Sequence, residues 1–209
     1  LDTKCIELNV EYVKANLDCK ILFSKMQMFG SYSGVIPTSY DIRLFKKDSK
    51  EQYNSLRKSS FNIAPSSFIN TSVLINVGYA DEKYRMIEDL PLWLKITKSG
   101  YQLYFLDAIT VYYRVNESIS FSKQKYINEL FIEDLILVRS DYRESFLQSP
   151  IAGWLVLEQI ISYKLMLLVS KVTKNEIGMI TKVFNNIRNI LRPGYSINKI
   201  FAKVYNRIF

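Results

Sequence analysis

The chain predicts an α/β fold followed by a helical tail, on three observations. Residues 19–29 and 101–114 are dense in β-branched, aromatic and aliphatic side chains and read as strands. Residues 1–16 and the stretch from Leu90 to Gly100 instead carry apolar side chains at helical spacing. Beyond Pro150 the strand-like runs stop, and long apolar and basic segments of helical period replace them.

In chain order, residues 1–16 predict a helix with Ile6, Val10 and Val13 on one side. Residues 19–29 predict the first strand. Asp89, ahead of Leu90-Pro91, reads as an N-cap, with Pro91 in the first turn where a missing N–H costs nothing. Leu90, Trp93, Leu94 and Thr97 follow at helical spacing, and Ser99-Gly100 supplies the stop. Residues 101–106 and 109–114 predict two strands, broken at Asp107-Ala108. In the tail, residues 154–172 predict a strongly apolar helix with Glu158 and Lys164 inside it. Residues 176–191 predict another, closed by Arg192-Pro193-Gly194. Ile197, Ile200, Phe201, Val204, Tyr205 and Ile208 then fall on one helix face, with Lys199, Lys203 and Arg207 every four residues on its flank.

At 24.5 kDa the chain holds one domain, or a domain plus a smaller module, and its 48% hydrophobic content is ample for a core. The sequence contains no histidine, which excludes an imidazole base. Proton abstraction near neutral pH therefore falls to a carboxylate, a thiol or a perturbed lysine. Cys5 and Cys19 lack metal-ligand spacing and read as buried thiols of a reducing compartment. Residues 1–12 contain no run resembling a signal sequence. The uncharged stretch 145–157 is shorter than the ~20 apolar residues that cross a bilayer. The expected location is the cytoplasm.

Charge is unevenly distributed. Residues 151–209 hold nine basic side chains (Lys164, Lys171, Lys174, Lys182, Arg188, Arg192, Lys199, Lys203 and Arg207) against Glu158 and Glu176. The other 150 residues hold 19 basic and 18 acidic, so nearly all of the net +8 lies in the tail. The boundary falls near Ser149-Pro150.

A further set of residues stands in a fixed order: Ser66-Ser67, the turn Val77-Gly78-Tyr79-Ala80-Asp81-Glu82, the pair Glu88-Asp89 with Trp93 one turn on, Gly100-Tyr101, Tyr113-Arg114, and Ser118-Ile119-Ser120. In that order and spacing, residues 61–120 resemble the family 2 glycosyltransferases with the GT-A fold, especially bacterial enzymes that build polysaccharide and lipopolysaccharide. The resemblance implies that residues 1–149 are the acceptor-side half of a nucleotide-diphospho-sugar transferase domain with a mixed sheet. Residues 150–209 would then be a basic helical tail. It implies an inverting transfer from a nucleotide-sugar donor to a glycan or lipid-linked acceptor, with Asp89 as catalytic base and Glu88 orienting it or contacting the acceptor. Trp93, Tyr113, Arg114, Ser66 and Ser67 are the implied substrate contacts. The missing Gln-x-x-Arg-Trp motif of processive relatives favours transfer of a single sugar.

Two departures matter. The family's Asp-x-Asp motif, which holds a divalent metal (Mg2+ or Mn2+), is absent, and by this register it is expected just before Leu1. The chain by itself is accordingly expected to be inactive. Asn116 stands where relatives often have histidine, which puts a metal or phosphate contact there in doubt.

Plainer roles stand beside these. Asp89 caps a helix and Glu88 favours its positive end. Trp93 serves as core, and Arg114 as a surface ion pair. The tail packs on the domain with solvated lysines, or Lys199, Lys203 and Arg207 meet the anionic cytoplasmic face of a membrane, to which lipid-linked acceptors would bring it. The rival class is a non-enzymatic basic helical module for nucleic acid or an acidic polymer, which a pI near 9.3 allows. The basic residues are spread among apolar helix faces and form no recognised nucleic-acid motif, so no nucleic-acid partner is expected.

Overall fold

A computed structural model of the chain describes residues 1–31, 33–37, 39–57, 60–115, 128–142 and 150–172, with Lys182 and Asn186. The chain divides into two compact units, Leu1–Lys123 and Gln124–Phe209. The shift in charge falls further along, at Ser149-Pro150.

The first unit is α/β. Its sheet is built on β1 (Ile21–Gly30), which has β4 (Leu103–Val115) parallel along one edge. On the other edge β1 pairs antiparallel with β2 (Gly34–Ile36) through Met26–Met28, and with β3 (Phe68–Ile69) through Ile21 and Leu22. The sheet is therefore mixed, as expected. Ile21, Leu22, Phe23 and Ser24 are all buried, the pattern of a strand covered on both faces.

The break expected at Asp107-Ala108 is a bulge within one continuous strand. Ser24 pairs with Leu106, Lys25 with Ile109, and Met26 with Val111. Asp107 and Ala108 are thus extra residues opposite one step of β1, and Thr110 is extra opposite the next. Side chains fasten the irregularity: Lys25 pairs with Asp107, and the Ser24 and Thr110 hydroxyls share a hydrogen bond.

Helices α1 (Cys5–Ala15) and α2 (Ser39–Phe45) pack on β4, and α3 (Ser49–Leu56) and α4 (Thr71–Val77) pack on α5 (Asp89–Lys98), whose Trp93 meets Phe23 of β1. On α1, Val10 and Val13 of the expected apolar side are half-buried. Cys5 and Asn9 are buried and Ile6 is 59% exposed. Asn9 Nδ2 donates to Cys5 O at 2.8 Å, inside its own helix turn, while its Oδ1 is buried without a partner among the described residues. Helix α3 starts with a cap, the Asp48 side chain accepting from Glu51 N at 2.8 Å. Helix α4 is capped by Asn70 and ends at Gly78, whose φ of 73° suits glycine at a left-handed C-cap.

Gln52 of α3 is fully buried and clamps three segments. Its Oε1 accepts from Leu103 N at 2.7 Å, and its Nε2 donates to Leu103 O at 2.9 Å and Phe45 O at 3.2 Å. The end of α2 and the start of β4 are thereby fixed to α3. An aromatic cluster fills the space beside the clamp: Phe23, Phe45, Phe61, Phe105 and Trp93, with ring centroids 4.9 to 5.6 Å apart. Cys5 and Cys19 are free, buried thiols; burial pushes the Cys19 thiol up to about 11, so it stays protonated at neutral pH.

In the second unit, α6 (Glu129–Asp141) packs on α7 (Pro150–Val172), which matches the apolar helix expected over 154–172. The helices expected over 176–191 and 197–208, including Lys199, Lys203 and Arg207, lie outside the described residues apart from Lys182 and Asn186. Asn116 and Ser118-Ile119-Ser120 lie outside them too.

Candidate active site

Helix α5 carries the acidic pair. Asp89 is its first residue and Glu88, exposed, stands at the cap position without a side-chain cap bond. This differs by one position from the expected cap. Pro91 lacks one of the amides that a capping carboxylate would bond, and Asp89 Oδ1 instead accepts from Leu90 N at 2.7 Å. Asp89 is half-buried. Burial pushes its carboxyl above the usual range, and the neighbouring Glu88 charge pushes the same way, against the lowering effect of the Leu90 amide.

Only residues 99–102 separate α5 from β4, so the helix runs back over the sheet against the direction of β4. Trp93, 3% exposed, meets Phe23 of β1 edge-on, with centroids 4.9 Å apart. Asp89 lies one turn, ~6 Å, beyond Trp93 along the axis, toward the carboxyl ends of β1 and β4. In α/β sheets the carboxyl ends of parallel strands are where ligands bind.

Tyr113 and Arg114 stand at the carboxyl end of β4, whereas Ser66 and Ser67 lie beside the first half of β1. Tyr113 packs on the cluster of Met26, Met28, Ile63, Val111 and Val115, while Arg114, paired in register with Phe29, is exposed. Ser66 ends the 3-10 turn Ala64–Ser66 and is buried. Its hydroxyl donates to Ile63 O at 2.9 Å and accepts from Ser24 N at 3.3 Å, so both its bonding capacities serve the main chain. Ser67 is half-buried. Strand β1 links Trp93 with Ser66, since Phe23 touches Trp93 and Ser24 bonds Ser66, while Tyr113 and Arg114 pair further along it with Met28 and Phe29. Trp93 Nε1 is buried and has no hydrogen-bond partner among the described residues.

The turn that precedes the pair is held in an unusual backbone state. Tyr79 has φ of 56°, directly after Gly78, and the residue is 55% exposed. Lys95 Nζ donates to Tyr79 O at 2.6 Å and approaches Gly78 O at 3.4 Å. Left-handed φ costs a non-glycine residue on the order of 1 kcal/mol or more. No local pattern marks Lys95 for this role, because its partner lies 16 residues away and is a carbonyl. A second Glu-Asp pair, Glu133-Asp134, shows why the pair alone is a weak signal: it lies inside α6, and Asp134 is buried.

No family model matches the chain, and no curated protein matches it. Among solved structures, TarS of S. aureus (residues 1–349, in complex with UDP) aligns with 75% of this chain and 41% of its own length, at 17% identity and a TM-score of 0.45. A second structure of S. aureus TarS aligns with 76% of this chain and 25% of its own length, at 16% identity and a TM-score of 0.44. The chain spans less than half the length of either.

Proposed function

We propose that the chain is the acceptor-side part of an inverting GT-A glycosyltransferase, moving a single sugar from a nucleotide-sugar donor to a glycan or lipid-linked acceptor in cell-surface polysaccharide synthesis. The observation that carries the reading is Asp89. It is a half-buried carboxylate on the first turn of α5, pushed toward neutral pH, and set within the ordered motifs of residues 61–120.

The acceptor hydroxyl attacks the anomeric carbon in line. A glycosidic C–O bond forms, the bond from that carbon to the diphosphate oxygen breaks, and Asp89 takes the hydroxyl proton. A carboxylate whose proton affinity is raised is the stronger proton acceptor. The Leu90 amide fixes Oδ1 and so orients the carboxylate, and the Glu88 charge keeps its affinity for a proton high. Exposed Arg114 at the end of β4 offers a cation to an acceptor or diphosphate oxygen.

The divalent metal that the resemblance implies would neutralise the leaving diphosphate. Among the described residues no three His, Cys, Asp or Glu side chains come together, and the sequence has neither histidine nor Asp-x-Asp. These residues do not fit a metal, so this chain's share of the chemistry is the acceptor's proton.

With the chain joined to a donor-binding half, Asp89→Asn is expected to lower kcat by about 10²- to 10⁴-fold while the donor KM changes little. A variant that keeps wild-type kcat would remove Asp89 from the mechanism.

A further inference from the structure

The α6–α7 pair buries several polar groups beside Ile132, Val138 and Ile160, and leaves large apolar side chains exposed on its outer side. Asp134 and Arg139 of α6, and Glu158, Ser162 and Ser170 of α7, are all buried. Ser162 Oγ donates to Glu158 Oε1 at 3.2 Å, and Ser170 Oγ donates to Leu167 O at 2.7 Å and approaches Glu129 Oε1 at 3.5 Å. The last contact sets the start of α6 beside the end of α7, so the helices are antiparallel.

On the outer side, Trp154 is 45% and Leu168 62% exposed, with Leu157 and Ile161 half-buried between them. At the angular step of an α-helix these four fall within about 60° of one another. Lys164 and Lys171, both exposed, follow one edge of the stripe. Leu130 and Phe131, 42% and 40% exposed, stand at the start of α6.

We propose that this face docks on an anionic lipid surface, with Trp154 and Leu168 entering the headgroup boundary and Lys164 and Lys171 meeting lipid phosphates. Charge selects this partner. Residues 151–209 carry nine basic against two acidic residues, so a second copy seated on the stripe would bring two such excesses together. A nucleic acid would satisfy the lysines and leave the apolar stripe in water. Lipid satisfies both, and tryptophan with lysine beside an aliphatic stripe suits the membrane interface. No helix among the described residues is long and apolar enough to cross a membrane, so the pair lies in the interface. None of this rests on the sugar-transfer reading.

The test uses the full chain with vesicles of phosphatidylcholine alone, or mixed with phosphatidylglycerol, followed by co-sedimentation and tryptophan emission. Trp93 is already buried, so a blue shift reports Trp154. Expected are binding to the phosphatidylglycerol vesicles only, a blue shift on binding, and loss of that shift in Trp154→Phe. Changing Lys164 and Lys171 to Gln, both exposed and so harmless to folding, should weaken binding about five-fold per lysine. Leu168→Gln should weaken it further with the far-UV spectrum unchanged. Binding untouched by the lysine changes, or binding without a blue shift, would overturn the proposal. So would a lipid-free dimer that Leu168→Gln dissociates, or tighter binding to duplex DNA than to the vesicles.

Discussion

The Gln52 clamp allows a sharp test of how the first unit holds together. Gln52→Leu keeps the volume roughly constant and removes every hydrogen bond of the side chain. Phe45 O retains a contact from Gln102 Nε2 at 3.4 Å, but Leu103 loses the partners of both its N–H and its C=O. Each buried group left unsatisfied costs about 1–3 kcal/mol, so the pair costs about 2–6 kcal/mol. That is a large part of a typical total of about 5–15 kcal/mol. Gln52→Glu separates the two bonds by pH. The neutral acid can still accept from Leu103 N and donate to Leu103 O, whereas the carboxylate would face the carbonyls of Leu103 and Phe45. Burial then raises the folded pKa of the new acid above its unfolded value. The clamp's stabilisation is therefore fully present below the unfolded pKa and lost as pH rises through the folded one. Urea unfolding followed by far-UV circular dichroism at about pH 4.5 and 7.5 reads the difference. Gln52→Glu should be close to wild type at the lower pH and fall toward Gln52→Leu at the higher. Equal losses for both variants at both pH values would refute the clamp.

Three other outcomes are expected. Asp89→Asn keeps the acceptor for Leu90 N and removes the charge; because the folded Asp89 pKa is raised, its melting temperature should match wild type at acid pH and exceed it as pH rises through that pKa. In the sugar-transfer assay, Glu88→Gln removes a charge that raises Asp89, so the acid limb of kcat/KM should move to lower pH; an unmoved limb would sever the coupling. Tyr79→Gly relieves left-handed strain and should stabilise the first unit by up to about 1 kcal/mol in urea unfolding, while Tyr79→Val should destabilise it.

What could be read in the sequence was whatever a segment states about itself. β1 and β4 show in their own composition, and α5 in its spacing and its stop at Gly100. β2 and β3 are two or three residues long and exist only through pairing with β1, so no local pattern marks them. Gln52 looks like a solvent-facing glutamine until Leu103, 51 residues later, is brought to it. Asn9 carries no apolar signal, yet it goes inside with its Nδ2 bonded to Cys5 O within the helix. Among the candidate residues, the order of motifs singles out Asp89, Trp93 and Tyr113-Arg114, but not the packing that raises Asp89 or the Lys95 contact that holds Tyr79. Those depend on distant partners.

The bulge in β4 acts as a frame setter. Upstream of it, Tyr104 and Leu106 share a sheet face with Leu22 and Ser24; downstream, Val111, Tyr113 and Val115 take up the face of Met26 and Met28. The partners advance by five positions on β4 for two on β1, an odd excess that exchanges inside for outside along the strand. A single-residue deletion among Asp107–Thr110 would therefore turn Arg114 into the methionine cluster and Tyr113 out of it, with neither residue mutated. A two-residue deletion would preserve the facing. Length polymorphism in this short segment should accordingly come in even steps.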